Sequence, residues 1–276
     1  MVNLKLVQKL RQTSGVGILD CQKAIKESKG DLEKAFEILR KKGIAKAAKR
    51  DSRKTSVGII KFFVTQDNQE GYIVSVNSET DFAAQSERFQ KFSENILVFI
   101  KKEKPQNLEE LNKKFKDEID NVEGVIGERI EIGNYGVLKG DLITGYSHMD
   151  GKIGVLVSLD FEGDIKAYKD ELNKLAHEIA LQITALNPGW ISEKEVPQEV
   201  IKKEKQIYQA NIDKNKPSQI VEKILQGQIQ KFYKENCLLL QAFIKDDSLT
   251  IQDLIQQKIN KIGKNIQVKK FIRFSL

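Results

Sequence analysis

The chain has 276 residues, a length typical of two or three domains. Hydrophobic residues make up 40% of it, which is enough to fill real cores and excludes a wholly disordered protein. The longest apolar runs, such as residues 96–100, fall far short of the ~20 residues needed to span a bilayer. No signal peptide is recognisable, so we predict a cytoplasmic protein with no membrane partner. The two cysteines, Cys21 and Cys237, are far apart and show no ligand spacing, which argues against a disulfide scaffold or a zinc module.

Positive charge is concentrated at the start of the chain. Residues 1–55 hold 15 of the 46 lysines and arginines but only 6 of the 39 acidic residues. A segment of this kind favours an acidic surface, either of a protein or of a nucleic acid. Lysine greatly outnumbers arginine in the whole chain, and base-reading proteins tend to use arginine. We therefore expect no direct nucleic-acid binding.

The first predicted unit, residues 1–55, is a helical bundle followed by a basic linker. Residues 3–43 form three short helices: Asn3 caps the first, Gly30 ends the second, Asp31 caps the third and Gly43 ends it. About 40 residues make only a small core, so we expect a compact three-helix bundle tethered to something larger.

From residue 56 the hydrophobic pattern changes from helical to extended. Strands are predicted at residues 58–64 and 71–78, joined by a hairpin turn, and a helix follows with Phe89, Phe92 and Ile96 on one face. No element is assigned to the charged stretch at residues 101–120. Further strands are predicted at residues 130–137, 142–146 and 153–159, with a tight turn at 148–151.

The remaining elements are mostly helical. A long amphipathic helix is predicted at residues 165–186, and residues 191–235 are predicted to form an antiparallel helical hairpin that projects from the body. A helix near residues 251–259 and a last strand at 266–274 complete the chain.

The sequence contains an internal echo. Residues 125–132 (VIGERIEI) resemble residues 261–268 (KIGKNIQV), and the order strand, hairpin, strand, helix occurs twice. These repeats predict an α+β fold with two related core subdomains, residues 56–139 and 140–276, the second carrying the hairpin insertion at 191–235.

Sequence motifs for catalysis are lacking. The best candidate for a phosphate-binding loop, Gly151-Lys152, is followed by Ile153 instead of a hydroxyl residue. Neither His148 nor His177 lies in a zinc-binding or protease motif, and no nucleophile motif occurs. We therefore expect a binding or regulatory protein, with no catalytic residues, no metal site and no cofactor.

Several segments resemble a known family. Residues 10–24 (LRQTSGVGILDCQKA), 30–35 (GDLEKA) and 39–44 (LRKKGI) resemble the opening of bacterial-type translation elongation factor Ts, and residues 78–84 (SETDFAA) resemble its second hallmark. The resemblance continues in order through nearly the whole chain. It implies a ubiquitin-associated-like bundle at the N-terminus, an α+β core of two subdomains and a protruding coiled-coil hairpin.

The resemblance also implies a function. Members of the family exchange guanine nucleotides on the GTPase elongation factor Tu during protein synthesis: they bind its GDP form, disturb its magnesium and phosphate site, promote GDP release and leave when GTP binds. The expected partner is elongation factor Tu, in a heterodimer or a heterotetramer.

The resemblance implies a binding motif formed by Thr80, Asp81, Phe82 and Ala83, in which Phe82 inserts between helices of the GTPase near its magnesium ion. The residues alone leave a structural alternative open. Phe82 lies seven positions before Phe89 and is then a further core residue, while Asp81 is only a carboxylate at a helix N-terminus.

Three further residues are candidate contacts with the GTPase. The resemblance implies that His148 touches it, and the alternative is an exposed loop histidine. Lys46 and Lys49 belong to the basic tract 41–54, which either docks on the GTPase or is a solvated linker. We expect a structural role for His177.

Two other functions stay open. A basic RNA-binding accessory protein of translation would use residues 41–54, and its RNA affinity would fall steeply with salt. A structural scaffold would bind partners through the helical hairpin alone.

Overall fold

The computed structural model describes residues 3–14, 16–48, 53–212 and 217–276, and for residues 43–48 it describes the backbone alone. Within these ranges the α-helices are α1 (Leu4–Ser14), α2 (Ile18–Glu27), α3 (Leu32–Ala48), α4 (Asp81–Gln85), α5 (Glu87–Glu103), α6 (Leu108–Ile126), α7 (Lys169–Leu186), α8 (Gln198–Ala210), α9 (Ser218–Asn236) and α10 (Ile251–Ile262). The strands are β1 (Val57–Val64), β2 (Glu70–Ser78), β3 (Ile130–Lys139), β4 (Leu142–His148), β5 (Ile153–Phe161), β6 (Ala242–Phe243), β7 (Asp246–Thr250) and β8 (Ile266–Ser275).

Helices α1, α2 and α3 form the predicted N-terminal bundle. Its core consists of small and aliphatic side chains, namely Val7, Leu10, Cys21, Ala24, Ile25, Ala35 and Leu39. Asp31 caps α3 by accepting a hydrogen bond from the amide of Lys34, at 3.1 Å. The predicted end of α3 at Gly43 is wrong, because the helix continues to Ala48. One glycine costs a helix only about 1 kcal/mol, and the alanines and lysines around it favour the helix.

The first half of the core is a three-stranded antiparallel sheet in the order β1-β2-β3, covered on one face by α5 and α6. Helix α6 occupies most of the charged stretch for which no element was predicted. It buries Leu111, Phe115 and Val122 against the sheet. Together with Leu108, Ile119 and Ile126 these residues recur at steps of three or four, so the helical period is present in the sequence although charged residues surround it.

The second half repeats this plan. Its antiparallel sheet has the order β4-β5-β8, and α7 and α10 cover its outer face. The helix predicted from Ile165 begins instead as a short 3-10 turn, Ile165–Tyr168, which leads into α7.

The internal echo corresponds to a structural repeat. The central strands β2 and β5 are both nine residues long and have the same order of buried and half-buried residues. Each pairs with its last partner strand through a register shift beside its sixth residue, Ser75 in β2 and Ser158 in β5. Each half also ends its last helix with a left-handed glycine, Gly127 at φ +88° and Gly263 at φ +71°. The α+β fold is thereby confirmed, and these shared features relate its two halves.

The inner faces of the two sheets pack against each other, so the core has four layers: helices, sheet, sheet, helices. The buried residues between the sheets are aliphatic: Ile60, Ile73, Leu138, Ile143 and Leu156. Glycines let the sheets approach closely, since a Cβ atom on Gly154 would lie only 2.4 Å from a methyl carbon of Ile60.

Helices α8 and α9 form the hairpin. The base of the hairpin is closed by Val196, Ile201, Ile229, Phe232 and Cys237. Among the described residues, no helix has the length and apolar composition needed to cross a membrane.

Candidate functional site

The segment 80–83 lies where the chain leaves β2, the central strand of the first sheet. Thr80 is the N-cap of α4, and its hydroxyl accepts a hydrogen bond from the amide of Ala83 at 3.3 Å. Ser86 caps the next helix, α5, and donates from its own hydroxyl to the carbonyl of Ala83 at 2.7 Å. This short helix is therefore fixed at both ends.

Glu128 holds Thr80 from the other side. One carboxylate oxygen accepts from the Thr80 amide at 3.0 Å, and the other accepts from the Thr80 hydroxyl at 2.8 Å. Ser78 adds a third bond, from its hydroxyl to the Thr80 carbonyl, at 3.0 Å. Glu128 directly follows Gly127, which ends α6, so the ends of β2 and α6 together position the motif.

Phe82 points into solvent. Its side chain is 88% exposed, more than any other large hydrophobic residue of the described part of the chain, whereas Ala83 and Ala84 are buried. The alternative in which Phe82 continues the core face of Phe89 is therefore wrong. The break at Ser86, between the short helix α4 and the long helix α5, separates Phe82 from that face. Asp81 is the first residue of α4, so its carboxylate lies at a helix N-terminus, as the structural alternative for this residue predicts.

The second half of the core provides an internal comparison for Phe82. Ile165 lies four residues after β5, as Phe82 lies four residues after β2. Ile165 is half-buried and packs against the hydrophobic core of its half. The two halves therefore differ at this distance from the central strand: Ile165 contacts the core, whereas Phe82 is in solvent.

The turn between β4 and β5 lies beside the motif. Its Lys152 forms an ion pair with Asp81, with 2.6 Å between Nζ and Oδ1. The turn is anchored to the first half because the amide of Ile60 donates to the carbonyl of Gly151 at 2.7 Å. His148 and Met149 are exposed on this turn, and the Met149 side chain is 66% exposed.

Both histidines contact one tyrosine. The Tyr146 hydroxyl lies 3.1 Å from Nδ1 of His148, and the two rings stack with centroids 6.0 Å apart. His177, exposed on α7, makes an edge contact with the Tyr146 ring, with centroids 5.5 Å apart. Tyr146 therefore orients His148 at the surface, and His177 belongs to the same aromatic cluster.

A sequence profile described as Elongation factor TS matches residues 79–276, well over half of the chain and starting at the motif itself. The chain belongs to the elongation factor Ts family. Proteins named Elongation factor Ts are similar over almost the full length. The one from a Nitratiruptor species is 41% identical, covering 98% of this chain and 91% of its own length. Those from Chloroherpeton thalassium and from a type B strain of Clostridium botulinum are both 38% identical, covering 100% and 99% of this chain and 98% and 92% of their own lengths.

Membership of the elongation factor Ts family confirms the resemblance found in the sequence. The chain is accordingly a translation elongation factor. The family implies guanine-nucleotide exchange with elongation factor Tu as partner, in which a bound nucleotide is replaced and no covalent bond is broken.

Several contacts at this candidate site were not predicted from the sequence. Glu128, Lys152 and Tyr146 had no assigned role there, because their partners in the site are either far away in the chain or defined only by strand geometry. A partial signal exists for Glu128, since the echo places Lys264 at the equivalent position and so marks a difference between the halves. Of the predicted contacts, Lys49 and the side chain of Lys46 lie outside the described residues.

Proposed function

We propose that this chain is the guanine-nucleotide exchange factor of elongation factor Tu and that Phe82 is the side chain it inserts beside the magnesium site of the GTPase. The observation that carries the proposal is a phenyl ring, 88% exposed, on a short helix that is fixed at both ends. A folded domain gains nothing in stability from holding such a ring in water.

A rigid support for Phe82 is what exchange requires. A factor weakens GDP binding only to the extent that it binds the empty GTPase better than the loaded one. A shift from 1:99 to 99:1 needs about 5.5 kcal/mol of such a difference, and one buried aromatic or aliphatic side chain supplies ~1.5–3 kcal/mol. A mobile ring would lose part of that contribution in being ordered.

Phe82 cannot supply the whole difference, so further contacts have to share it. We assign these to Asp81, the neighbour of Phe82 in the motif, and to His148, which the β4–β5 turn carries on the side where Lys152 contacts Asp81. Magnesium needs a nearly octahedral set of ligands at short distances, so a small displacement of its ligands lowers its affinity and that of GDP. The factor binds the GDP form, promotes GDP release and is displaced when GTP binds.

The other parts of the chain are assigned to docking. We propose that the unit 1–55, including Lys46 and Lys49, holds the GTPase through its positive charge, and that residues 56–139 and 140–276, the latter with the hairpin insertion 191–235, form the exchange core. Light scattering on the complex distinguishes a heterodimer from a heterotetramer.

The proposal is tested by release of fluorescently labelled GDP from elongation factor Tu. The wild-type chain should accelerate release. Phe82→Ala should slow the maximal rate more strongly than it weakens complex formation, since the inserted ring acts on the bound state. Val98→Ala is the matched control, because Val98 is another exposed apolar residue, 55% accessible, on the neighbouring helix α5.

Three outcomes would contradict the proposal. No acceleration at micromolar factor would end the exchange function. Equal losses of rate and affinity in Phe82→Ala would contradict the insertion of Phe82 beside the magnesium site. Salt-sensitive RNA binding that depends on residues 41–54, without any effect on GDP release, would favour the RNA-binding alternative.

A further inference from the structure

The ion pair between Asp81 and Lys152 connects the two halves of the core at the proposed site. Asp81 begins helix α4 in the first half, and Lys152 precedes β5 in the second. Their charged atoms are 2.6 Å apart although 71 residues separate them in the chain. Both side chains are partly exposed, 58% for Asp81 and 38% for Lys152.

The backbone of Lys152 is held firmly on three sides. Its amide donates to the carbonyls of His148 and Met149, both at 3.1 Å, which closes the turn. Its carbonyl accepts from the amide of Leu276, also at 3.1 Å, and the preceding residue Gly151 is bonded to β1 through Ile60. Lys152 therefore reaches α4 from a fixed point.

Helix α4 depends on its surroundings for its stability. It contains only five residues, too few to be stable as an isolated helix. Glu128 and Ser78 hold Thr80, before its first turn, while Ala83 and Ala84 anchor its inner face. On its outer face the ion pair with Lys152 restrains the first helical residue, directly before Phe82.

We propose that Lys152 is a positioning residue of the exchange site: by holding Asp81, it fixes the direction in which Phe82 projects and couples the motif to the turn that carries His148. This inference rests on the proposed function. The pair contributes little to global stability, because exposed ion pairs generally do not. Its effect lies in how often α4 presents Phe82 in the orientation that binds.

This role predicts a particular pattern in GDP release. Lys152→Met should lower the maximal release rate about fivefold, the size of effect expected for directly coupled residues, while the factor concentration for half-maximal effect changes less than about twofold. Lys152→Arg should retain most of the rate because a guanidinium also reaches the carboxylate. In an Asp81→Asn background, Lys152→Met should have little further effect, since the contact is already lost.

Lys269→Met is the matched control. Lys269 also forms an exposed ion pair with an aspartate of the same half, 3.0 Å from Asp160, but at the opposite end of β5. It should leave GDP release unchanged.

Hydrogen exchange of the α4 amides separates this inference from the proposed function. Amide exchange at Ala83 and Ala84 should be faster in Lys152→Met and unchanged in Lys269→Met. If the wild-type chain does not accelerate GDP release but these amides still depend on Lys152, the proposed function fails and the positioning role stands. Additive effects of Asp81→Asn and Lys152→Met, no rescue by arginine, or unchanged α4 amides would overturn the inference.

Discussion

Phe62 and Gly145 occupy equivalent positions in the two halves of the core, and the ring of the one lies against the backbone of the other. Phe62 pairs with the fourth residue of β2, Ile73, and Gly145 pairs with the fourth residue of β5, Leu156. A Cβ atom on Gly145 would lie only 2.3 Å from Cε2 of Phe62. The two halves have thus diverged into a large and a small residue that fit together where the sheets meet.

Gly145→Ala should therefore destabilise the core. The added methyl group has no space, and overpacking of this kind costs about 1–3 kcal/mol. For a chain of this size the melting temperature should fall by about 2–10 °C, measured by calorimetry or circular dichroism.

A second variant isolates the cause. Phe62→Leu combined with Gly145→Ala should recover part of the loss, because the smaller side chain frees the space. If the double variant is no more stable than Gly145→Ala alone, contact with Phe62 is not the reason for the glycine.

Replacing two glycines that have open space around them by alanine should change stability in opposite directions. Gly227 lies exposed inside α9, and Gly127 ends α6 at φ +88°; a Cβ atom would meet nothing within 4 Å at either. Gly227→Ala should stabilise the hairpin by about 1 kcal/mol, the difference in helix propensity. Gly127→Ala should destabilise the first half by about 1 kcal/mol, because the left-handed conformation disfavours a side chain.

Amide hydrogen exchange in α9 and urea unfolding measure these two effects. A loss of stability in Gly227→Ala would mean that the surface of α9 packs against something in solution. A neutral Gly127→Ala would mean that the end of α6 is free to adopt another conformation.

Glu128→Ala should impair exchange more than stability. It removes both hydrogen bonds that Glu128 accepts from Thr80, which leaves the start of α4 less restrained. We expect a several-fold lower maximal GDP release rate and a loss of about 1 kcal/mol or less in unfolding free energy, since the group is only half-buried. The control is Lys264→Ala, the equivalent position of the other half; the same loss of rate there would contradict the role of Glu128.

The Cys237 thiol should be unreactive in the native protein. It is fully buried, and burial raises its pKa from 9.0 to about 11, so at pH 8 it is protonated and inaccessible. Cys21 is buried as well. A thiol reagent such as dithionitrobenzoate should therefore label neither cysteine before unfolding and both after it; rapid labelling at pH 8 would show that the base of the hairpin opens.

The same pKa shift of Cys237 has a consequence for stability. Because the folded-state pKa is above the unfolded one, the unfolded chain loses its proton first as the pH rises. The free energy of unfolding should be unaffected below pH 9 and decrease between about pH 9 and pH 11. A Cys237→Ala variant should lack this part of the pH dependence.

Much of this architecture follows from short-range patterns. The alternation of Val, Ile and Phe defines β1, β2 and β5, and the capping residue Asp31 marks the start of α3, since these preferences depend on neighbours a few residues apart. The echo around Gly127 and Gly263, together with the repeated order strand, hairpin, strand, helix, predicts two related halves. Helix α6 has the same kind of short-range signal, since its apolar residues from Leu108 to Ile126 recur at helical spacing, although no element was predicted there.

The arrangement of side chains at the candidate site depends on the tertiary structure. Phe82 fits the helical spacing of the core residue Phe89, and only the separately capped helix α4 turns it into solvent. Likewise, Lys152 is an ordinary lysine of a tight turn until the packing of the two sheets brings that turn beside Asp81. Sequence periodicity reports which face of one element is apolar, whereas the direction of a side chain and its distant partner depend on how separate elements pack.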